Sequence, residues 1–187
     1  LRFKPAGPRD STALLSKFDI DHVLEGWAAS HPRFYNYEFC MIDFESKGGS
    51  LARTSVADVL EGRATQDLKA AGGKVRRPCD TFACVINTDV SSGRGKHWVA
   101  VFGDCRGTGD WTVEYFNSAG TPPPAAVTRW LEKTAARLTK LRAAHPTKYG
   151  TGAVVPVVLT DIRHQDSQTE CGVYALYFIR LRLKGVP

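Results

Sequence analysis

Apolar residues recur at helical spacing in three stretches of the chain. In residues 19–29 they fall at i, i+3, i+4 and i+7, which predicts an amphipathic helix capped by Asp19. In residues 55–71 similar spacing predicts a second helix, which stops at Gly72-Gly73. In residues 125–143 an apolar stripe and a basic stripe lie on opposite sides of a third predicted helix. The basic stripe consists of Arg129, Lys133, Arg137 and Lys140.

The character of the chain changes between residues 81 and 117. Short runs of β-branched and aromatic residues at 81–89, 97–104 and 111–117 are separated by turns rich in Gly, Ser and Asp, which predicts an antiparallel meander. A further strand is predicted at 154–161, where Pro156 favours an edge or a bulge. Residues 34–44 are aromatic-rich but too irregular to assign beyond a loop or short strand. This order of elements predicts one α+β domain spanning residues 1–187.

The last apolar run follows Cys171 and ends in basic residues before Gly185, so it predicts a helix that begins close to Cys171. Either Ser167 or Thr169 would cap this helix and place the cysteine in its first turn. Free N–H groups and the positive end of the helix dipole lower the pKa of a thiol there. Cys171 is therefore a candidate nucleophile, although a cysteine beside an apolar run can equally be a core residue. Of the five cysteines, we expect only Cys171 to have a stabilised thiolate.

A cysteine nucleophile needs a base, and the base needs a group that orients it. If the connection 104–110 folds about Gly107, the antiparallel register sets residue 101 opposite 113 and His97 opposite Asn117. Directly opposed residues have Cβ atoms roughly 4.5 to 5.5 Å apart, within reach of a hydrogen bond between the two side chains. Taken singly, His97 could end a strand and Asn117 could form a turn. Their predicted pairing favours a Cys-His-Asn site.

The rest of this predicted strand face is apolar and needs a partner. The helix after Cys171 is the natural candidate, and its packing there would bring Cys171 to His97. The apolar residues of the face are Val99, Val101, Val113 and Tyr115.

Composition narrows the class of protein. The charged and aromatic fractions are ordinary for a globular chain of 187 residues, and no apolar run is long enough to span a membrane or to form a signal peptide. An odd number of cysteines without repeated spacing favours a reducing, intracellular compartment. Cys79 and Cys84 form the only close pair and lack two further ligands, so no zinc site is expected. The basic face of residues 125–143 is interpreted as solvated first and as a nucleic-acid site second.

These residues resemble a known family of cysteine proteases. His97-Trp98 on one strand, Asn117 at the end of the next, and Gln165 six residues before Cys171 are similar to the family that contains adenain and the SUMO-deconjugating proteases. The resemblance covers roughly residues 40–185 and is nearest to members encoded by large DNA viruses. It implies a catalytic core at 41–187, with a mixed central sheet and a central helix bearing the nucleophile, after a helical extension at 1–40.

The resemblance also implies a role for each site residue. It makes Cys171 the nucleophile, His97 the general base and Asn117 the residue that orients the base. The Gln165 side chain and the backbone N–H of Cys171 would form the oxyanion hole, with Gln168 as the competing donor. Trp98 would border the substrate cleft.

The predicted function is therefore a cysteine endopeptidase that matures viral structural polyproteins at Gly-containing sites. SUMO-specific members usually carry aspartate where this chain has Asn117, which favours the viral branch. A protease for SUMO or ubiquitin conjugates is the first alternative, followed by an acetyltransferase of the same fold and a non-catalytic binding module. No cofactor or metal is expected to be required, while a nucleic-acid or peptide activator is left open. A viral member would work in the host cytoplasm or the virion.

Overall fold

The computed structural model describes residues 14–165 and 169–186. The strands are β1 (Phe34–Met41), β2 (Thr65–Leu68), β3 (Gly73–Arg76), β4 (Thr81–Asn87), β5 (Trp98–Asp104), β6 (Trp111–Phe116) and β7 (Val154–Leu159). The helices are α1 (Lys17–Ser30), α2 (Phe44–Lys47), α3 (Ser50–Arg53), α4 (Val56–Leu60), α5 (Ala125–Ala144), α6 (Pro146–Tyr149) and α7 (Cys171–Leu183), with a 3-10 turn at Lys69–Ala71. No helix in this described part of the chain combines the length and apolar character needed to cross a membrane.

The main sheet has the strand order β1-β4-β5-β6-β7. Strands β4, β5 and β6 form the predicted antiparallel meander, while β1 and β7 pair in parallel with β4 and β6. The prediction of an α+β fold with a mixed central sheet is confirmed. Pro156, which cannot donate to a ladder, lies in the edge strand β7 as predicted.

The two faces of the sheet are covered by different helices. One face packs on α5 and the short helices α2 to α4, and the other packs on α1 and α7. The predicted apolar face lies on the α5 side, so its predicted packing against the Cys171 helix is wrong. The residues that this face contributes to the hydrophobic cluster beneath α5 are Val99, Val101, Val113 and Tyr115. Helix α7 instead packs with Trp98, Ala100, Phe102 and Phe116. Strand β5 is buried on both faces from Trp98 to Gly103. Its residues therefore do not alternate between apolar and polar, and the sequence does not indicate which face α7 covers.

The register between β5 and β6 differs from the predicted one by two residues. Val101 pairs with Tyr115, where the prediction paired it with residue 113. The backbone N–H of Trp111 donates to the Ala153 carbonyl on the other side, and its indole N–H donates to Gly107, so Trp111 lies outside the β5 ladder. Since the shift is even, each side chain keeps its predicted face of the sheet.

The N-terminal helices also differ from prediction. Helix α1 is capped by Ser16, and Asp19 is the third residue of a capping box with it, so the predicted Asp19 cap is wrong. The predicted helix at 55–71 ends at Leu60, followed by β2 and the 3-10 turn. Gly62 has a φ of 74°, and a Cβ there would lie 2.8 Å from the Pro78 nitrogen, which explains the early stop.

Two further expectations concern residues 34–44 and the division of the chain. Residues 34–41 form a full strand of the main sheet, which settles the assignment left between loop and strand. The division into an extension at 1–40 and a core at 41–187 stays a prediction.

Candidate active site

His97 and Asn117 lie at one end of the sheet, immediately before β5 and immediately after β6. The Nε2 atom of His97 is 2.7 Å from Oδ1 of Asn117. Because an amide oxygen can only accept, Nε2 carries the hydrogen and donates it. This tautomer leaves Nδ1 of the neutral ring available to a second partner.

The Asn117 amide is held in one orientation by its other contacts. Its Oδ1 also accepts the backbone N–H of Ala119 at 2.9 Å, and its Nδ2 donates to the Thr121 carbonyl at 3.1 Å and to the Tyr115 hydroxyl at 3.2 Å. A carbonyl only accepts, so the amide nitrogen must face Thr121. The side chain is buried, and a flip would break several bonds at once. The oxygen that faces His97 is therefore preorganised.

Cys171 is the first residue of α7, as the sequence indicated. The N-cap position is Glu170, whose side chain makes no capping bond, so the predicted cap at Thr169 is wrong. Ser167, the other predicted cap, lies outside the described residues. The Cys171 side chain is fully buried and is a hydrogen-bond partner of the His97 ring.

The electrostatics of the pair favour charge separation. Burial acts to raise the pKa of Cys171, but hydrogen bonds from His97 and from the backbone N–H groups of Trp98 and Gly172 outweigh it and lower that pKa below its ordinary value. The pKa of His97 is raised, mainly by the same hydrogen bond with Cys171. Burial acts to lower this pKa, and the hydrogen bond with Asn117 acts to raise it. The two groups titrate as a pair, and both pKa shifts ease transfer of the thiol proton to the imidazole.

Gln165 is buried beside Asn117. Its Oε1 accepts a hydrogen bond from the Ser118 hydroxyl at 2.6 Å, and its backbone N–H donates one to the Ser118 carbonyl at 3.2 Å. Ser118 directly follows Asn117, so the loop before α7 is tied to the strand end that orients His97. With the amide oxygen engaged, the amide nitrogen of Gln165 is the end left to act as a donor. Gln168, the competing donor, lies outside the described residues, so the choice between the two stays open.

Trp98 packs against the first turn of α7 and against the segment before α1. Its indole N–H donates to the Leu15 carbonyl at 3.1 Å. A Cβ at Gly172 would lie 3.2 Å from both Trp98 Cδ1 and Leu15 Cβ, so only glycine fits beside Cys171 without displacement. Leu15 was missed by sequence reasoning. Recognition of the Ser16–Asp19 capping box would have indicated it, because the residue before such a cap commonly packs against the helix. Leu15 and Ile20 do belong to one buried cluster.

A groove of about 450 Å³ opens beside Trp98. It lies between the segment 14–17 and the loop 91–96, with Phe39 and Met41 in its lining. Its lining includes Lys96 and Trp98, the two chain neighbours of His97, but neither His97 nor Cys171 itself.

A second thiol with a lowered pKa lies away from this site. Cys40 is buried in β1, and hydrogen bonding from the Cys84 thiol, against the effect of burial and with help from Ser50, lowers the pKa of Cys40 to about 7. The expectation that only Cys171 has a stabilised thiolate is therefore wrong. Cys84 lies on β4, which pairs in parallel with β1, and no local sequence pattern indicates that contact.

The chain is similar to viral proteases along nearly its whole length. Residues 30–187 match the model for the Ulp1 protease family, C-terminal catalytic domain. A cysteine protease of African swine fever virus is 48% identical over 185 residues, which cover 99% of this chain and 63% of that protein. A SUMO-1 cysteine protease from another isolate of the virus is 46% identical, with the same coverage.

Structural similarity agrees with the sequence matches. The crystal structure of the African swine fever virus protease aligns with a TM-score of 0.85 at 44% identity, covering 100% of this chain and 63% of that one. The chain thus spans somewhat less than two thirds of the length of these relatives.

Proposed function

The chain belongs to the Ulp1 protease family, and from this premise we propose that it is a cysteine endopeptidase with a Cys171-His97-Asn117 triad. One observation carries the proposal. The His97 ring donates from Nε2 to Asn117 at 2.7 Å and is also hydrogen-bonded to the Cys171 thiol. A thiol at a helix start, paired with an oriented imidazole, is the arrangement that activates a cysteine nucleophile.

The reaction begins when the Cys171 thiolate attacks the carbonyl carbon of the scissile peptide. The C=O electron pair moves to oxygen, and collapse of the tetrahedral intermediate expels the amine, which takes its proton from the His97 imidazolium. Water then gives a proton to His97 and attacks the thioester, which releases the acid and restores the thiol. Asn117 keeps the ring in its productive orientation through both steps without adding a charge.

The oxyanion that forms in each step needs preorganised donors. We assign them to the backbone N–H of Cys171, at the start of α7, and to the amide nitrogen of Gln165. The Ser118 hydroxyl on Oε1 supports this assignment, because it directs the opposite end of the Gln165 amide away from Ser118. Trp98 and the groove beside it would bind the substrate residues that lead to the scissile bond.

The substrate class is a proposal of the same kind. The leading candidate is a viral structural polyprotein cleaved at Gly-containing sites, inside the host cell or the virion. The alternative is a ubiquitin-like modifier attached to a protein, and the name SUMO-1 cysteine protease of one relative favours it. The nucleic-acid expectation for the basic helix stays a prediction, because the relatives' names do not bear on it.

A cleavage profile on a peptide library, run beside SUMO- and ubiquitin-vinyl-sulfone probes, tests the proposal. We expect cleavage of Gly-containing peptides without probe labelling, whereas probe labelling would select the deconjugating alternative. Cys171→Ser serves as the control, since it keeps the shape of the side chain and removes the thiolate. Peptide cleavage that survives in Cys171→Ser, or an inactive wild-type protein in both assays, would overturn the protease assignment.

A further inference from the structure

A second groove lies on the sheet face opposite α7. It has a volume of about 680 Å³ and runs between the exposed side of α5 and the segment 44–56. Its apolar lining includes Leu51, Val56 and Trp130, and the Trp130 indole N–H is tied to the Leu51 carbonyl at 3.2 Å. Both walls are therefore braced by the core, and the groove is part of the folded domain.

The walls of this groove carry an excess of positive charge. Its lining contains one carboxylate, Glu45, and four cations, Arg53, Lys133, Arg137 and Lys140. Glu45 is already paired, with Arg129 at 2.5 Å and with Lys133 at 3.5 Å. In the described part of the chain, no carboxylate forms an ion pair with Arg53, Arg137 or Lys140. Three exposed cations therefore surround an apolar floor without an anionic partner.

We propose that this groove is a docking site for an acidic peptide segment of a partner protein, one that alternates carboxylates with apolar side chains. The carboxylates would pair with Arg53, Arg137 and Lys140. The apolar side chains would lie against Ala52 and Ala136, the exposed apolar residues of the lining. The Ser55 hydroxyl on the rim accepts from Nη1 of Arg137 at 3.1 Å, which holds this cation beside the groove. Charge complementarity and the apolar floor together specify this class of ligand.

The same features disfavour a nucleic acid as the occupant. Binding of single strands needs aromatic faces on which bases can stack. The aromatic residues in this lining are Phe44 and Trp130, which are only 2% and 6% exposed. A nucleic acid would meet the cations but would leave the apolar floor unused.

Fluorescence polarisation with a short fluorescein-labelled peptide of alternating glutamate and leucine tests the proposal. We expect Arg137→Ala/Lys140→Ala to weaken binding of this peptide by roughly three- to tenfold, because two ion pairs are lost. Lys74→Ala/Lys184→Ala, which removes the same charge from exposed sites elsewhere, should change it by less than about twofold. Ala136→Glu, an exposed change in the groove lining, should also weaken binding without removing a cation.

Two probe controls separate the components of the site. Replacing leucine by serine in the peptide should weaken binding, and a single-stranded oligonucleotide should bind more weakly than the peptide. Equal losses in the groove variant and its charge-matched control would overturn the proposal, because attraction would then be nonspecific. Tighter binding of the oligonucleotide, with the same dependence on Arg137 and Lys140, would assign the groove to nucleic acid. Because binding is measured directly, the result does not depend on whether the chain is a protease.

Discussion

Cys171 and Cys40 are both buried thiols whose pKa is lowered, yet their surroundings differ in kind. Cys171 opens helix α7 and is hydrogen-bonded to an imidazole that Asn117 orients. Cys40 lies within strand β1, where its sulfur is 3.1 Å from the Ser50 hydroxyl and bonds to the Cys84 thiol. Burial raises the pKa of the remaining thiols, Cys79, Cys84 and Cys105.

The contrast separates thiolate stability from catalytic competence. Acyl transfer needs a group that takes the thiol proton and later returns it to the leaving amine. An imidazole can do both near neutral pH, whereas the hydroxyl of Ser50 and the thiol of Cys84 are too weakly basic to take the thiol proton. A lowered pKa alone therefore does not identify a nucleophile, and the neighbouring base must be found as well.

Alanine at each cysteine gives the largest expected difference between the two regions. Cys171→Ala should reduce kcat/KM for peptide cleavage by roughly 10⁴- to 10⁶-fold, because the proposed nucleophile is removed. Cys40→Ala should leave kcat within about twofold but lower the unfolding free energy by about 1 to 2 kcal/mol, through lost contacts with Ser50 and Cys84. Steady-state kinetics and urea denaturation measure the two effects. Loss of turnover in Cys40→Ala at unchanged stability would break the distinction.

Gln165, the proposed oxyanion donor, gives the next largest effect. Gln165→Ala should lower kcat by about 10²- to 10³-fold with little change in substrate binding. Ser118→Ala is the matched control, since it removes the hydroxyl bonded to Oε1 while the donating amide remains, and it should cost less. Full kcat in Gln165→Ala, together with loss in Gln168→Ala, would show that the neighbouring glutamine is the donor.

Aspartate at position 117 should change stability and the pH profile, with a smaller effect on the rate than the two substitutions above. A carboxylate cannot donate to the Thr121 carbonyl as the Asn117 amide does, so Asn117→Asp should lower the unfolding free energy by about 1 to 3 kcal/mol. The added negative charge should also raise the pKa of His97 further. The imidazolium would then persist to higher pH, and the alkaline limb of the kcat/KM profile should move upward. An unchanged alkaline limb in a folded variant would mean that the ring does not contact position 117 during catalysis.

The candidate residues could be predicted because each carries a local signal. Cys171 begins an apolar helix, and His97 and Asn117 adjoin strands that are recognisable as runs of β-branched and aromatic residues. Their contact was predicted for a partly wrong reason, since the register is shifted by two residues. Both residues lie just outside the strands, at the same end of the sheet, so the loops there rather than the ladder bring them together.

Other features depend on contacts between distant parts of the chain. The side of the sheet that α7 covers could not be predicted, because both faces of β5 are apolar. The Cys40–Cys84 contact requires parallel pairing of β1 with β4, which no local pattern specifies. Similarly, the contact of Leu15 with Trp98 joins positions 83 residues apart, and no local pattern specifies it.

Site-resolved alkylation by iodoacetamide at about pH 6 tests most directly whether His97 activates Cys171 and not Cys40. Mass spectrometry would follow each cysteine in the wild type and in His97→Ala, so that each buried thiol is compared with itself. We predict that Cys171 is alkylated faster than Cys40 in the wild type. In His97→Ala, alkylation of Cys171 should slow by about tenfold for each unit by which the pKa of the Cys171 thiol rises toward its ordinary value. The rate of alkylation at Cys40 should not change. Labelling of Cys40 ahead of Cys171 in the wild type would contradict the account. So would a rate at Cys171 that is the same in His97→Ala as in the wild type.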